Sequence, residues 1–189
     1  GQLYVALQRL NRDAGWQSEG GVVAEGDCGA REVTRHWAVG GSALLVGEPD
    51  EAGLLVSYAK HDERAAGVSR LRLPEGKLEV LLETPGEHLT GLTLVDDTAL
   101  GISFAEDGMA YAVVCYDLVT GVSRSRESTS RYLTAIQGND RGEAWVSAGP
   151  SWLDPTAASG LFVYDVASCA ARNEEPIELS LHPFSVGFF

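Results

Sequence analysis

Residues 89–127 read LTGLTLVDDTALGISFAEDGMAYAVVCYDLVTGVSRSRE. Four runs rich in Leu, Ile, Val, Tyr and Phe occupy Leu89–Val95, Ala99–Ala105, Ala110–Leu118 and Val122–Glu127. They are separated by Asp96-Asp97, by the AEDG at 105–108 and by the VTG at 119–121. Short apolar runs bounded by Asp, Gly and Thr predict β-strands joined by tight turns. No long window carries the i, i+3, i+4, i+7 apolar spacing of an amphipathic helix. The whole chain is therefore expected to be all-β.

The same four-part layout recurs on both sides. Before it come Ser42–Gly47, Leu54–Ala59, Gly67–Leu73 and Lys77–Glu83. After it come Arg131–Gln137, Glu143–Gly149, a long loop PSWLDPTAAS at 150–159, Gly160–Val166 and a last run near Pro176–Leu179. The second strands share Val56-Ser57, Ile102-Ser103 and Val146-Ser147, whose serines lie 46 and 44 residues apart. Two third strands share Tyr116-Asp117 and Tyr164-Asp165, 48 apart. Four strands in each period of about 45 residues form the signature of a β-propeller. A lone four-stranded sheet leaves both faces wet, whereas stacked blades bury them and leave only short edges.

The two ends fit the same scheme. The closing SLHPFSVGFF reads as a first strand, and the opening QLYVALQRL as a second. GGVVAEG and EVTRHWAV supply the third and fourth. The expected blades are 182–189 with 1–39, then 41–84, 88–128 and 131–180. This gives either a small closed four-bladed ring or part of a six- to eight-bladed one. The sequence opens at Gly1 immediately before a strand-like run, which reads as a processed end or as one chain of a split protein.

The chain has 189 residues, with 14 Lys and Arg against 27 Asp and Glu, a formal charge of −13. Such a field repels phosphate backbones and anionic lipid, so nucleic acid is not an expected partner. No apolar run approaches the roughly 20 residues of a transmembrane helix. Cationic, neutral or metal-bearing partners remain.

Cys28, Cys115 and Cys169 form no CxxC and have no His at zinc spacing, which argues against a structural zinc site. Cys115, in an apolar strand, reads as a buried small hydrophobe. Cys28 and Cys169 lie in turn-like contexts, and a disulfide between them is one alternative open to an exported protein.

YVALQRLNRDAGW at 4–16, the CYDLVTG and VYDVAS turns, and the closing PFSVGF resemble bacterial exported β-propellers of the lactonase-like and quinoprotein-like groups. The resemblance implies a periplasmic, cell-surface or secreted protein that binds or scaffolds, often lipid-anchored. It carries over no catalytic residue. Seven blades would need roughly 300 residues at this repeat length, more than the chain has.

Several constellations could carry chemistry. Glu48-Pro49-Asp50-Glu51, Asp96-Asp97 and Asn139-Asp140 follow equivalent first strands. Their oxygens could converge on Ca²⁺, though Asp and Asn equally favour turns. His88 and His182 both precede a first strand and could face a central channel as a transition-metal pair. His36, beside Trp37, reads as buried or stacked, and His61 as a loop residue. Ser57, Ser103 and Ser147 lie in no GxSxG elbow, and their periodicity points to packing. Trp37 and Trp145 read as core. Trp16, in NRDAGWQSEG, and Trp152, beside Asp154 in the 150–159 loop, sit outside any alternating pattern, where tryptophans often make contacts.

The expected function is a non-enzymatic, exported binding or assembly module that uses the loops at 11–20 and 150–159. Its partner is expected to be a protein, which could itself complete the ring. No cofactor is expected. The alternative is a propeller enzyme or metalloprotein with its site at the channel mouth.

Overall fold

The computed structural model describes residues 1–11, 13, 17–46, 52–60, 65–85, 88–104 and 110–187. Among these residues every regular element is a strand, and all pairing is antiparallel. Two compact units divide the chain, Gly1–His88 and Leu89–Phe189.

In the first unit, β1 (Gln2–Asn11), β2 (Gln17–Asp27) and β3 (Glu32–Gly40) make a three-stranded meander. A four-stranded meander follows, from β4 (Ser42–Leu45) through β5 (Leu54–Lys60) and β6 (Ala65–Arg72) to β7 (Lys77–Pro85). Alternation along the strands places Val23, Val39, Ala43, Leu54, Val56 and Leu71 in one buried cluster. Trp37 packs on its border, with its indole where a side chain on Gly76 would sit. Gly76 also has φ +76°, which favours glycine, and the Trp37 indole leaves no room for a side chain there.

The second unit opens with β8 (His88–Val95), β9 (Thr98–Phe104), β10 (Tyr111–Asp117) and β11 (Val122–Thr129). Its second sheet holds β12 (Tyr132–Gly138), β13 (Glu143–Gly149), β14 (Gly160–Asp165) and the short β15 (Ala170–Ala171), while β16 (Ile177–Glu178) also pairs with β14. Leu100, Ile102, Val113, Leu133, Ile136 and Val146 belong to its core. Each fully buried aliphatic side chain contributes about 1.5–3 kcal/mol relative to exposure.

One hairpin turn recurs in all four sheets. The backbone N–H of Arg31, Gly76 and Gly121 donates to the carbonyl four residues back, on Asp27, Arg72 and Asp117, each at 2.8 Å. Arg31, Gly76, Gly121 and Cys169 all have positive φ. At Asp27, Asp117 and Asp165 the carboxylate also accepts backbone N–H groups within the turn. The turn-opening residues 27, 72, 117 and 165 are spaced by 45, 45 and 48. In this register the turn between β2 and β3 corresponds to those between β6 and β7 and between β10 and β11. The expected first strand from the C-terminus is not formed: residues 182–187 carry no strand.

The repeated serines pack as expected, and Ser57, Ser103 and Ser147 are all buried. Cys115 is buried as expected but is bonded rather than a free thiol, and the alternative Cys28–Cys169 bond is not formed. Cys115 bonds to Cys169, and Cys28 is exposed and free. Cys169 is buried, not in a wet turn, because its positive-φ position turns the side chain into the core beside Cys115. His36 is exposed, because β3 shows only Val39 as a buried side chain.

Candidate binding surface at the Trp152 loop

The loop between β13 and β14 is built from short-range hydrogen bonds. The Ser151 hydroxyl accepts the backbone N–H of Leu153 at 3.1 Å and of Asp154 at 3.2 Å. It donates to the Ser130 carbonyl, which ties the loop to the neighbouring turn. The Ser151 N–H donates to the Asp154 carbonyl at 3.1 Å, and the Thr156 hydroxyl donates to the Asp154 carboxylate at 3.3 Å. A serine followed three residues later by Asp can close a turn upon itself in this way.

The far limb is fastened as well. Arg131 donates to the Ala158 carbonyl at 2.7 Å and to Glu175 at 3.1 Å, with its guanidinium 5.9 Å from the Phe162 ring centre. The Leu179 N–H donates to the Ser159 carbonyl at 2.8 Å. Asn173 accepts from Val163 N–H at 2.8 Å and donates to the carbonyls of Leu161 and Glu175. On this scaffold Trp152 stands 94% exposed and Leu153 50% exposed. A large aromatic side chain held by a fixed loop yet left in water loses little conformational freedom on binding.

A second aromatic group lies at the same end of the sheet. Tyr132 pairs with Gly149 in register, and a Cβ on Gly149 would collide with the His182 ring. The His182 ring stacks on Tyr132 at 5.9 Å and meets Phe184 edge-on at 5.1 Å. Tyr132 in turn meets Tyr111 edge-on at 5.2 Å, and burial pushes the Tyr111 phenol above its ordinary value. Phe184 and Leu181 are among the most exposed apolar side chains.

The site residues expected from sequence distribute unevenly. Trp152 and Asp154 share the loop just described, Trp152 outward and Asp154 half-buried. Trp16 lies outside the described residues, as do His61 and the 48–51 turn. His88 begins β8, but its side chain is also outside the described set. His182 sits 3.3 Å from the Thr134 hydroxyl through Nε2, while its Nδ1 is buried with no hydrogen-bond partner. Its neighbours are hydroxyl, carbonyl and aromatic groups. Among the described residues, no three His, Cys, Asp or Glu gather where an ion could be held. Asn139 serves its own turn, accepting from Arg141 N–H at 3.0 Å and Glu143 N–H at 3.1 Å.

A cavity of about 230 Å³ in the first unit went unread in the sequence. Gln2, Tyr4, Glu25, Arg35, Leu73 and Pro74 line it. Glu25 is buried, accepts from the Gln2 amide at 2.8 Å and lies 3.8 Å from Arg35, its cross-strand partner. Burial, and then the Glu25 charge, raise the Tyr4 phenol. Its polar groups satisfy one another, as a structural cluster at a sheet rim does.

No protein-family model matches the chain. No curated protein matches it either. Solved structures do. The chain is similar to TolB from Acinetobacter baumannii, with TM-score 0.58 and 12% identity over 95% of this chain and 42% of that one. It is similar to the β-propeller domain of the trilobed protease from Pyrococcus furiosus, described as having an open velcro topology, with TM-score 0.55 and 11% identity over 96% and 55%. A protein of unknown function from Desulfotomaculum acetoxidans matches with TM-score 0.52 and 10% identity over 81% and 46%. The fold is a β-propeller fold. The chain spans about half the length of these structures, and identities this low speak to the fold alone.

Proposed function

We propose that this chain is a non-enzymatic binding or assembly module on a β-propeller scaffold, acting outside the reducing cytoplasm. The observation that carries the reading is Trp152, almost fully exposed at the tip of a loop whose base is fixed by Ser151, Asp154 and Arg131. Contiguous exposed apolar side chains on a soluble domain mark contact sites more often than chance exposure. The Cys115–Cys169 disulfide supports an extracytoplasmic setting, since reducing compartments keep thiols apart. β1 pairs with β2 alone among the described strands, so a partner strand completing that sheet belongs to the same reading.

The test is affinity capture from the exported fraction of the source organism, with immobilised wild-type protein beside Trp152→Ala. A stoichiometric partner held by the wild type and lost by the folded variant is expected. Identical captures, or none, would contradict the reading.

A further inference from the structure

The second unit, residues 89–189, has five arginines and no lysine against thirteen Asp and Glu, a formal charge of −8. Four of those arginines are committed within the unit. Arg172 pairs with Glu143 and Asp165, Arg131 with Glu175 and Ala158, Arg124 with Ala167, and Arg126 with Ser103.

The carboxylates are not spread evenly around the Trp152 loop. Glu174, Glu175 and Glu178 lie on the segment that runs beside the loop's return limb, where Glu178 pairs with Gly160 and Leu179 with Ser159. The Glu175 side chain is 83% exposed even while contacting Arg131. Asp154 adds a fourth carboxylate inside the loop itself. The same loop and the segment after β16 carry the exposed apolar side chains Trp152, Leu153, Leu181 and Phe184. All belong to one end of the β12–β16 sheet, because Gly149 closes β13 against Tyr132 and His182 immediately before the loop begins.

Resting on the function proposed above, we infer that this end of the second unit docks a basic protein segment carrying both arginine or lysine and aliphatic side chains. The apolar tips supply contact area, and an indole face in an acidic field attracts a cation. The surrounding carboxylates steer such a segment inward and disfavour an acidic one. A purely apolar partner would leave the exposed Glu174 and Glu178 without a countercharge. An acidic partner would meet them as like charges.

The test uses fluorescence anisotropy with three labelled twelve-residue peptides. One alternates arginine and leucine in pairs, one replaces its arginines with glutamate, and one replaces its leucines with serine. Only the first is expected to bind well. Trp152→Ala should weaken it about tenfold. The double variant Glu175→Gln with Glu178→Gln should weaken it about threefold and flatten its salt dependence. Circular dichroism confirms that both variants fold. Equal binding of the glutamate peptide, no binding of the first peptide, an unchanged Trp152→Ala affinity, or loss of self-association as the only effect of Trp152→Ala would each overturn the inference. The capture experiment decides the broader reading independently, since a partner lost by Trp152→Ala but lacking a basic segment retains that reading while this one fails.

Discussion

Ser147 shows how a single hydroxyl is fixed by its surroundings. It is fully buried, accepts the Ala135 N–H at 2.9 Å and lies 2.7 Å from the Thr134 hydroxyl. Ser147→Ala strands that N–H and should cost about 1–2 kcal/mol in urea denaturation, while an unchanged midpoint would contradict the geometry. Asp165 makes a charge prediction. Its hydrogen bond from Arg172 comes first among the causes that hold its carboxyl down to about 2, and bonds from Ser168 follow. Depression in the folded state means that this contribution to stability is present above the ordinary value of 3.8 and is lost as pH falls toward about 2. An NMR titration should place the Asp165 midpoint near 2, and Arg172→Gln should return it toward 3.8; an unmoved midpoint would remove Arg172 as the cause. At this scale Ser57, Ser103 and Ser147 were legible because they repeat. Cys169 was not, because its burial follows from a positive-φ turn that VASCAAR does not advertise.

Most strands were legible, since apolar runs between Gly, Asp and Pro have few other solutions, but the closing run at 182–187 was read as a strand and is not one, and the short β15 was not read. The recurring turn was visible only in part. Tyr-Asp stands at 116–117 and 164–165, whereas Arg72 opens the same turn with no side-chain mimicry, and only backbone geometry reveals the match. The Trp152 loop was readable as an interruption of the repeat. The aromatic cluster of Tyr132, His182 and Phe184 was not, because PFSVGF alternates like a strand yet His182 lies as irregular chain beside Gly149. Two predictions belong to elements. Gly149→Ala should displace the 181–184 segment while leaving β13 paired, seen as chemical-shift changes confined to 132–134 and 181–184. The disulfide joins β10 to the turn after β14 across 54 residues. Replacing both Cys115 and Cys169 by Ala should lower unfolding free energy by about 2–4 kcal/mol, and peptide mapping should find Cys115 linked to Cys169, with Cys28 alkylatable. A Cys28–Cys169 peptide would contradict the structure.

For the whole molecule, the acidic balance and the β-propeller fold act together. A formal charge of −13 keeps the protein soluble and biases encounters toward cations. The repeat explains many residues as scaffold, and the 150–159 loop on which the proposed function rests is a place where the repeat is broken. The association rate with the arginine–leucine peptide should fall as ionic strength rises, because long-range steering is screened beyond about 8 Å at physiological salt. The central claim, that partners dock on the Trp152 end of the second unit, is tested most directly by hydrogen–deuterium exchange with and without that peptide. The account predicts new protection at 151–154 and 177–184, with little change elsewhere. Protection confined to other strands, or none at 151–154 under saturating peptide, would contradict it.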